Sequence, residues 1–227
     1  MTRILHFFLL GALSLLLVTC APPDPSSSDA GPIREQVAAR RTTSSVPRIV
    51  FLGDSLTAGL GLPREASVPS LIQARLTAAG YRYEVINAGV SGDTSAGGLN
   101  RLEWSLEGNV DILVIELGAN DGLRGLPVPQ MKRNLNEIIT RAKRRNIIVI
   151  LTGMEAPPNY GSAYTSEFRQ VFADLAREHS VPFIPFYLEG VAGISRLNQG
   201  DGIHPNAEGS RIVEQTVWRT LEPVLEK

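Results

Sequence analysis

Five short apolar runs, each followed by a longer segment of helical spacing, constrain the fold of this chain more than any other feature. RIVFLG (48–53), YEVINAG (83–89), DILVIELG (111–118), IIVILTG (147–153) and PFIPFY (182–187) read as buried strands. Segments 67–79, 97–107, 129–145, 164–179 and 205–226 carry helical periodicity. Strands that are apolar throughout belong to a parallel sheet with helices on both faces. The right-handed crossover rule then gives an α/β fold: a doubly wound, three-layer α/β/α sandwich of flavodoxin-like type, strand order 2-1-3-4-5. An α/β barrel needs eight strands, more than this chain can supply.

Ligands of open α/β sheets bind beyond the carboxyl ends of the strands, near the point where strand order reverses. Chemistry is therefore sought in the loops after the first three strands: GDSLTAG (53–59), NAGVSGDTS (87–95) and GANDGLRG (118–125). A fourth block, DGIHPN (201–206), precedes the last helical segment. Taken singly, each is ordinary turn or helix-capping sequence. Their occurrence in order, at the positions the fold assigns to a site, is far more specific.

A serine hydroxyl needs a base before it can attack. The chain has three histidines. His6 lies in the apolar leader, and His179 closes a helical segment, where a cation suits the helix dipole. His204 remains, with Asp201 three residues before it. That spacing lets a carboxylate accept from one ring nitrogen and leaves the other facing Ser55. Negative charge developing on an attacked carbonyl oxygen needs donors. The Ser55 and Gly92 backbone N–H groups and the Asn120 amide are of the right kind.

Other chemistries fit less well. Asp54, Asp93 and Asp121 flank these groups, but one usable histidine is too few for a two-metal hydrolase, so no metal and no cofactor are expected. These acids are expected to hold their loops through backbone N–H groups. No Lys-Ser/Thr follows the glycines of GDSLTAGLG, as a phosphate loop would require, and Thr57 breaks the G-x-S-x-G elbow. A net charge of −1 gives no footprint for nucleic acid.

The four blocks resemble those of the SGNH (GDSL) hydrolases, whose name spells Ser, Gly, Asn and His. The resemblance spans about 48–226 and is nearest to the thioesterase I/lysophospholipase/arylesterase branch, with PPNYGSAYTSEF (157–168) and VPFIPFYLEGV (181–191) adding to it. It implies Ser55 as nucleophile, His204 as base and then acid, and Asp201 as its orienting partner. Gly92 and Asn120 would complete the oxyanion hole with the Ser55 N–H. The SGD context favours Gly92 over Gly89, which reads as a strand-end turn. The activity implied is hydrolysis of esters and thioesters of short to medium acyl chains, including aryl esters and lysophospholipids. Leu123, Arg124 and Leu126 sit in a loop able to flex. With Pro158 and Tyr160 they are expected to line an acyl groove.

Residues 1–20, MTRILHFFLLGALSLLLVTC, have a basic start and an apolar stretch shorter than a membrane span, and they read as an export signal. Cys20 is the single cysteine, and LVTC resembles the bacterial lipoprotein signal, with Thr19 in place of the usual small residue. Lipid anchoring at Cys20 to the cell envelope, or secretion as a soluble protein, are the two outcomes. Residues 21–47, opening with the Pro/Ser-rich APPDPSSSDAGP, read as a flexible linker, and the hydrolase domain occupies 48–227. The expected partner is a small acyl-ester or lipid substrate, acted on by a monomer. Two other readings stand beside the esterase: a carbohydrate or peptidoglycan O-acetyl esterase with a shallow polar cleft, and a non-catalytic envelope binding protein.

Overall fold

Residues 46–226 are described in the computed structural model of the chain. The segment read as an export signal, Cys20 and all but the last two residues of the expected linker lie outside them. The described part belongs to one unit, Ser45–Lys227. It holds a single five-stranded sheet in the order β2-β1-β3-β4-β5, every pair parallel. The strands are β1 (Arg48–Gly53), β2 (Glu84–Gly89), β3 (Val110–Glu116), β4 (Ile148–Thr152) and β5 (Phe183–Ile184).

Burial follows position in the sheet. β1, β3 and β4 are interior and covered on both faces, so nearly every residue is apolar and buried. β2 lies at an edge and tolerates Glu84 and Asn87. The expected fifth strand, 182–187, shrinks to two residues. Pro182 and Pro185 flank it, and proline has no N–H to give to a ladder.

The α-helices of the described residues are α1 (Ser55–Ala58), α2 (Val68–Ala78), α3 (Ser95–Asn100), α4 (Leu102–Ser105), α5 (Ala119–Leu123), α6 (Val128–Arg144), α7 (Ser162–His179) and α8 (Ala207–Leu221). α2 packs with α8, and on the other face α3 and α7 both pack against α6, which completes the three layers. In α6, Val128, Met131, Leu135, Ile138, Ile139 and Ala142 recur at helical spacing and are buried, while Arg141, Lys143 and Arg144 meet the negative end of the dipole.

The single helix expected over 97–107 is broken at Arg101. That residue leaves helical geometry, and its guanidinium reaches the strand ends: Nε donates to Asp93 Oδ2 (2.6 Å), Nη1 to the Ala88 carbonyl (2.6 Å) and Nη2 to the Gly53 carbonyl (2.8 Å). At the far end of α7, His179 is part-buried rather than freely solvated. Its Nε2 is 2.8 Å from Asn136 Oδ1, and burial, then the Lys143 charge, push the imidazole's pKa down.

Candidate active site

Register brings the three post-strand loops together. Gly53, the last residue of β1, pairs with Gly89 of β2 and Glu116 of β3. The chain then turns at once into α1. Asp54 caps this one-turn helix by accepting from the Leu56 N–H at Oδ1 (3.0 Å), and Gly59 closes it in the left-handed region. Ser55 is thereby presented at the first helical position, above the carboxyl edge of the sheet.

His204 arrives from the opposite end of the chain. Residues 198–206 form a narrow loop: Asn198 and Pro205 make an isolated bridge, and the Gln199 N–H donates to the His204 carbonyl (2.8 Å). Asn206 then caps α8 by accepting from the Glu208 and Gly209 N–H groups, so that helix begins two residues later than the sequence pattern implied. Within the loop, Asp201 Oδ1 accepts from the Ile203 N–H (2.9 Å) and the His204 N–H (3.0 Å), and Oδ2 lies 2.6 Å from His204 Nδ1. These bonds hold the Asp201 carboxyl well below the usual range, the His204 N–H first, then the Ile203 N–H and the imidazole. His204 Nε2 is 2.9 Å from Ser55 Oγ, across 149 residues of sequence.

Ser55, Gly92, Asn120 and His204 line one cavity of about 210 Å³. Gly92 has φ +87°, a backbone that favours glycine, and its carbonyl accepts from Arg124 Nη2 (2.9 Å). Asn120 Nδ2 donates to Asp54 Oδ2 (2.9 Å) and to the Asp93 carbonyl (3.0 Å). Both amide hydrogens are thus committed to neighbours that fix the side chain. Gly89 is the final residue of β2 rather than a turn. A Cβ there would collide with the Ala58 N–H and the end of α1, so close backbone approach is what requires glycine.

Of the flanking acids, Asp54 and Asp121 bind backbone N–H groups, as the loop-holding expectation has it. Asp121 takes the Ser95 N–H (2.7 Å) and the Ser95 Oγ (2.6 Å), joining the second and third blocks. Asp93 differs, because its carboxylate faces the Arg101 guanidinium instead.

Leu123 lines the cavity holding Ser55 and also an adjoining one of about 380 Å³, which Pro158 borders too. Leu56, Ala119 and Ile203 likewise face both, and Met154 and Phe186 extend the second with apolar surface. Arg124, Leu126 and Tyr160 line neither cavity. Arg124 is spent on Gly92. Leu126 presents its carbonyl to the Tyr164 hydroxyl (2.9 Å), and Tyr160 donates to the Leu123 carbonyl (2.9 Å). The supposed flexible loop is therefore a short helix, α5, and a turn fastened by two tyrosines.

Sequence reasoning missed four residues that build this site. Arg101 and Gln199 gave no signal beyond being polar. Thr57 was weighed only as a break in another motif, yet its hydroxyl donates to Glu116 Oε2 (2.8 Å). Glu116 carried the clearest clue, an acid in the interior of the run DILVIELG, where Asp111 stands only at the start.

Residues 51–212 match the model of the GDSL-like lipase/acylhydrolase family. The chain belongs to that family. Among curated relatives it is similar to Esterase TesA of Pseudomonas aeruginosa, 43% identical over 78% of this chain and 89% of that one. It is also similar to an arylesterase of Vibrio mimicus (38%; 77% and 88%) and to thioesterase 1/protease 1/lysophospholipase L1 of Escherichia coli K12 (35%; 78% and 84%). A crystal structure of TesA superposes with TM-score 0.75 at 43% identity, covering 79% of this chain and 99% of that one. The psychrotrophic esterase EstA from Pseudoalteromonas sp., in a structure inhibited by monoethylphosphonate, gives 0.74 at 34% identity, covering 78% and 97%. The architecture is that of SGNH hydrolases.

Proposed function

We propose that the protein is a serine esterase, hydrolysing carboxylic esters and thioesters of short to medium acyl chains through an acyl-enzyme on Ser55. One observation carries this reading: the unbroken relay Ser55 Oγ–His204 Nε2 (2.9 Å) and His204 Nδ1–Asp201 Oδ2 (2.6 Å), whose serine and histidine line the cavity of about 210 Å³ that adjoins the larger apolar one. Relatives named esterase, arylesterase and thioesterase/lysophospholipase support it.

In the derived mechanism His204 Nε2 takes the hydroxyl proton as Ser55 Oγ bonds to the acyl carbon. Asp201, charged and bound to Nδ1, stabilises the imidazolium and fixes its orientation. Electrons displaced to the carbonyl oxygen are met by the Ser55 and Gly92 N–H groups and by Asn120, whose amide exchanges one present acceptor, Asp54 or the Asp93 carbonyl, for the oxyanion. His204 then returns the proton to the leaving alcohol or thiol. A water, deprotonated by the same nitrogen, releases the acid.

The acyl chain is assigned to the cavity of about 380 Å³, because four apolar side chains are shared between it and the Ser55 cavity. This apolar lining favours the chain-length esterase over an acetyl-specific enzyme with a polar cleft. A panel of p-nitrophenyl esters of rising chain length tests the assignment, and turnover confined to acetate contradicts it. Labelling by a serine-reactive phosphonate, mapped to the peptide holding Ser55 and absent in Ser55→Ala, tests the nucleophile. Export with lipid anchoring at Cys20 is part of the same proposal, and palmitate incorporation lost in Cys20→Ser tests it.

A further inference from the structure

The proposed chemistry leaves one buried acid unused. Glu116 ends β3 directly beneath the serine turn and is 0% exposed. Its Oε2 accepts three hydrogen bonds, from the Asp54 N–H (3.2 Å), the Thr57 N–H (3.2 Å) and the Thr57 hydroxyl (2.8 Å). These donors flank Ser55 on both sides. Glu116 Oε1 is buried and receives no donor from the described residues.

Asp54 lies against it, also 0% exposed, with its own N–H given to Glu116 Oε2. Asp54 gives Oδ1 to the Leu56 N–H and Oδ2 to the Asn120 amide. An ionised Glu116 would leave a desolvated, unpartnered oxygen beside a second carboxylate, which costs both solvation and repulsion. A proton on Oε1 removes both penalties, with Asp54 as the acceptor at hand.

We propose that Glu116 carries a proton on Oε1 and donates it to the Asp54 carboxylate, which makes Glu116 a positioning residue for the serine turn and, through Asp54, for the Asn120 amide. Burial, then the Asp54 charge, push the Glu116 carboxyl well up, while Asp54, itself raised by burial, is drawn back by Leu56, Glu116, Asn120 and His204 in that order. The neighbouring Tyr187 phenol, pushed up by burial and then by Glu116 and Asp54, keeps its own proton and adds no charge. The pair thus holds one negative charge, placed on the oxygen that orients the oxyanion donor.

The kinetic arm of the test rests on the serine-esterase reading, whereas the spectroscopic arm does not. Infrared difference spectra of wild type against Glu116→Gln at neutral pH are expected to show a protonated-carboxyl stretch lost in the variant. A wild type without that stretch overturns the proposal. For kinetics, an ester hydrolysed by wild type and spared by Ser55→Ala is used, so that failure of the serine reading shows separately as turnover surviving in Ser55→Ala. Glu116→Leu is expected to lose about 10²-fold in kcat, the scale of one misplaced oxyanion donor, with KM little changed. Glu116→Gln keeps the acceptor and puts an N–H where the O–H was, so it is expected to recover to within about tenfold of wild type. Full activity in Glu116→Leu, or a Gln variant no better than Leu, overturns the positioning role. Should Glu116→Leu fail to fold, the infrared stretch and the Glu116→Gln rate decide: a stretch with a rate within about tenfold supports the proposal, and a loss of about 10²-fold or more defeats it.

Discussion

Gln199 Nε2 donates to the Leu60 carbonyl at 2.7 Å, joining the loop that carries His204 to the segment that leaves the Ser55 helix. The same nitrogen also donates to the Pro205 carbonyl (3.0 Å), and a Cβ on Gly61 would strike the Gln199 amide oxygen. An amide that touches neither side chain thus ties the histidine loop to the serine segment.

Gln199→Ala is expected to lower kcat/KM about tenfold, from the roughly 1–2 kcal/mol of two lost hydrogen bonds that align the pair. Phosphonate labelling of Ser55 is expected to slow in parallel. Unchanged labelling would show that the histidine loop holds its place without this tie.

Asp201→Asn is expected to lose about 10⁴-fold in kcat, since an amide neither stabilises the imidazolium nor fixes the tautomer. Stability carries its own signature. The folded carboxyl is depressed by N–H donors, so its stabilising contribution is present above the unfolded value of about 3.9 and is lost as pH falls through the lower folded value. Denaturant titrations across pH should show the gap between wild type and Asp201→Asn full at neutral pH and closing only in strong acid.

Arg101→Lys is expected to destabilise the protein by about 3 kcal/mol, because an ammonium cannot span Asp93, Ala88 and Gly53 as the guanidinium does. Activity should fall as well, since two of these acceptors border Ser55 and Gly92. The midpoint of urea unfolding, read beside kcat, checks both effects.

Chain-length selectivity is expected to rise by about fourfold in kcat/KM per methylene, the equivalent of about 0.8 kcal/mol, until the apolar cavity is filled. Ala156 lines that cavity, and Ala156→Phe should end the rise at shorter chains. The ratio of long-ester to short-ester kcat/KM in the two proteins reports the outcome.

Gly89→Ala is expected to cost about 2–4 kcal/mol, because the added methyl meets backbone of α1 rather than a side chain that can turn away. The melting temperature measures it.

Interior strands announced themselves because burial on both faces leaves no room for polar residues, and β1, β3 and β4 read directly as apolar runs. β5 was read in the right place but too long, because Pro182 and Pro185 confine the ladder to Phe183 and Ile184 and the apolar residues after them pack outside it. At the site, Ser55, His204, Asp201 and Asn120 were legible because reactive side chains are few and their loops fall where strand order reverses. The fastenings were not. Arg101, Gln199 and Arg124 act through backbone carbonyls, which any residue supplies, so no sequence pattern marks their partners. Tyr160 and Arg124 were expected to face substrate, but such long polar side chains reach a carbonyl as readily as a ligand.

The contact between Ser55 and His204 spans 149 residues, most of the described length, and it joins the first β–α turn to the last. On the proposed mechanism, a nascent or truncated chain lacking its final forty residues holds the serine without Asp201 or His204, and such a molecule is expected to be inert toward esters. Recovery of hydrolysis during refolding should then lag behind formation of the central strands and keep time with the docking of α8, which makes turnover a clock for the closing step of assembly.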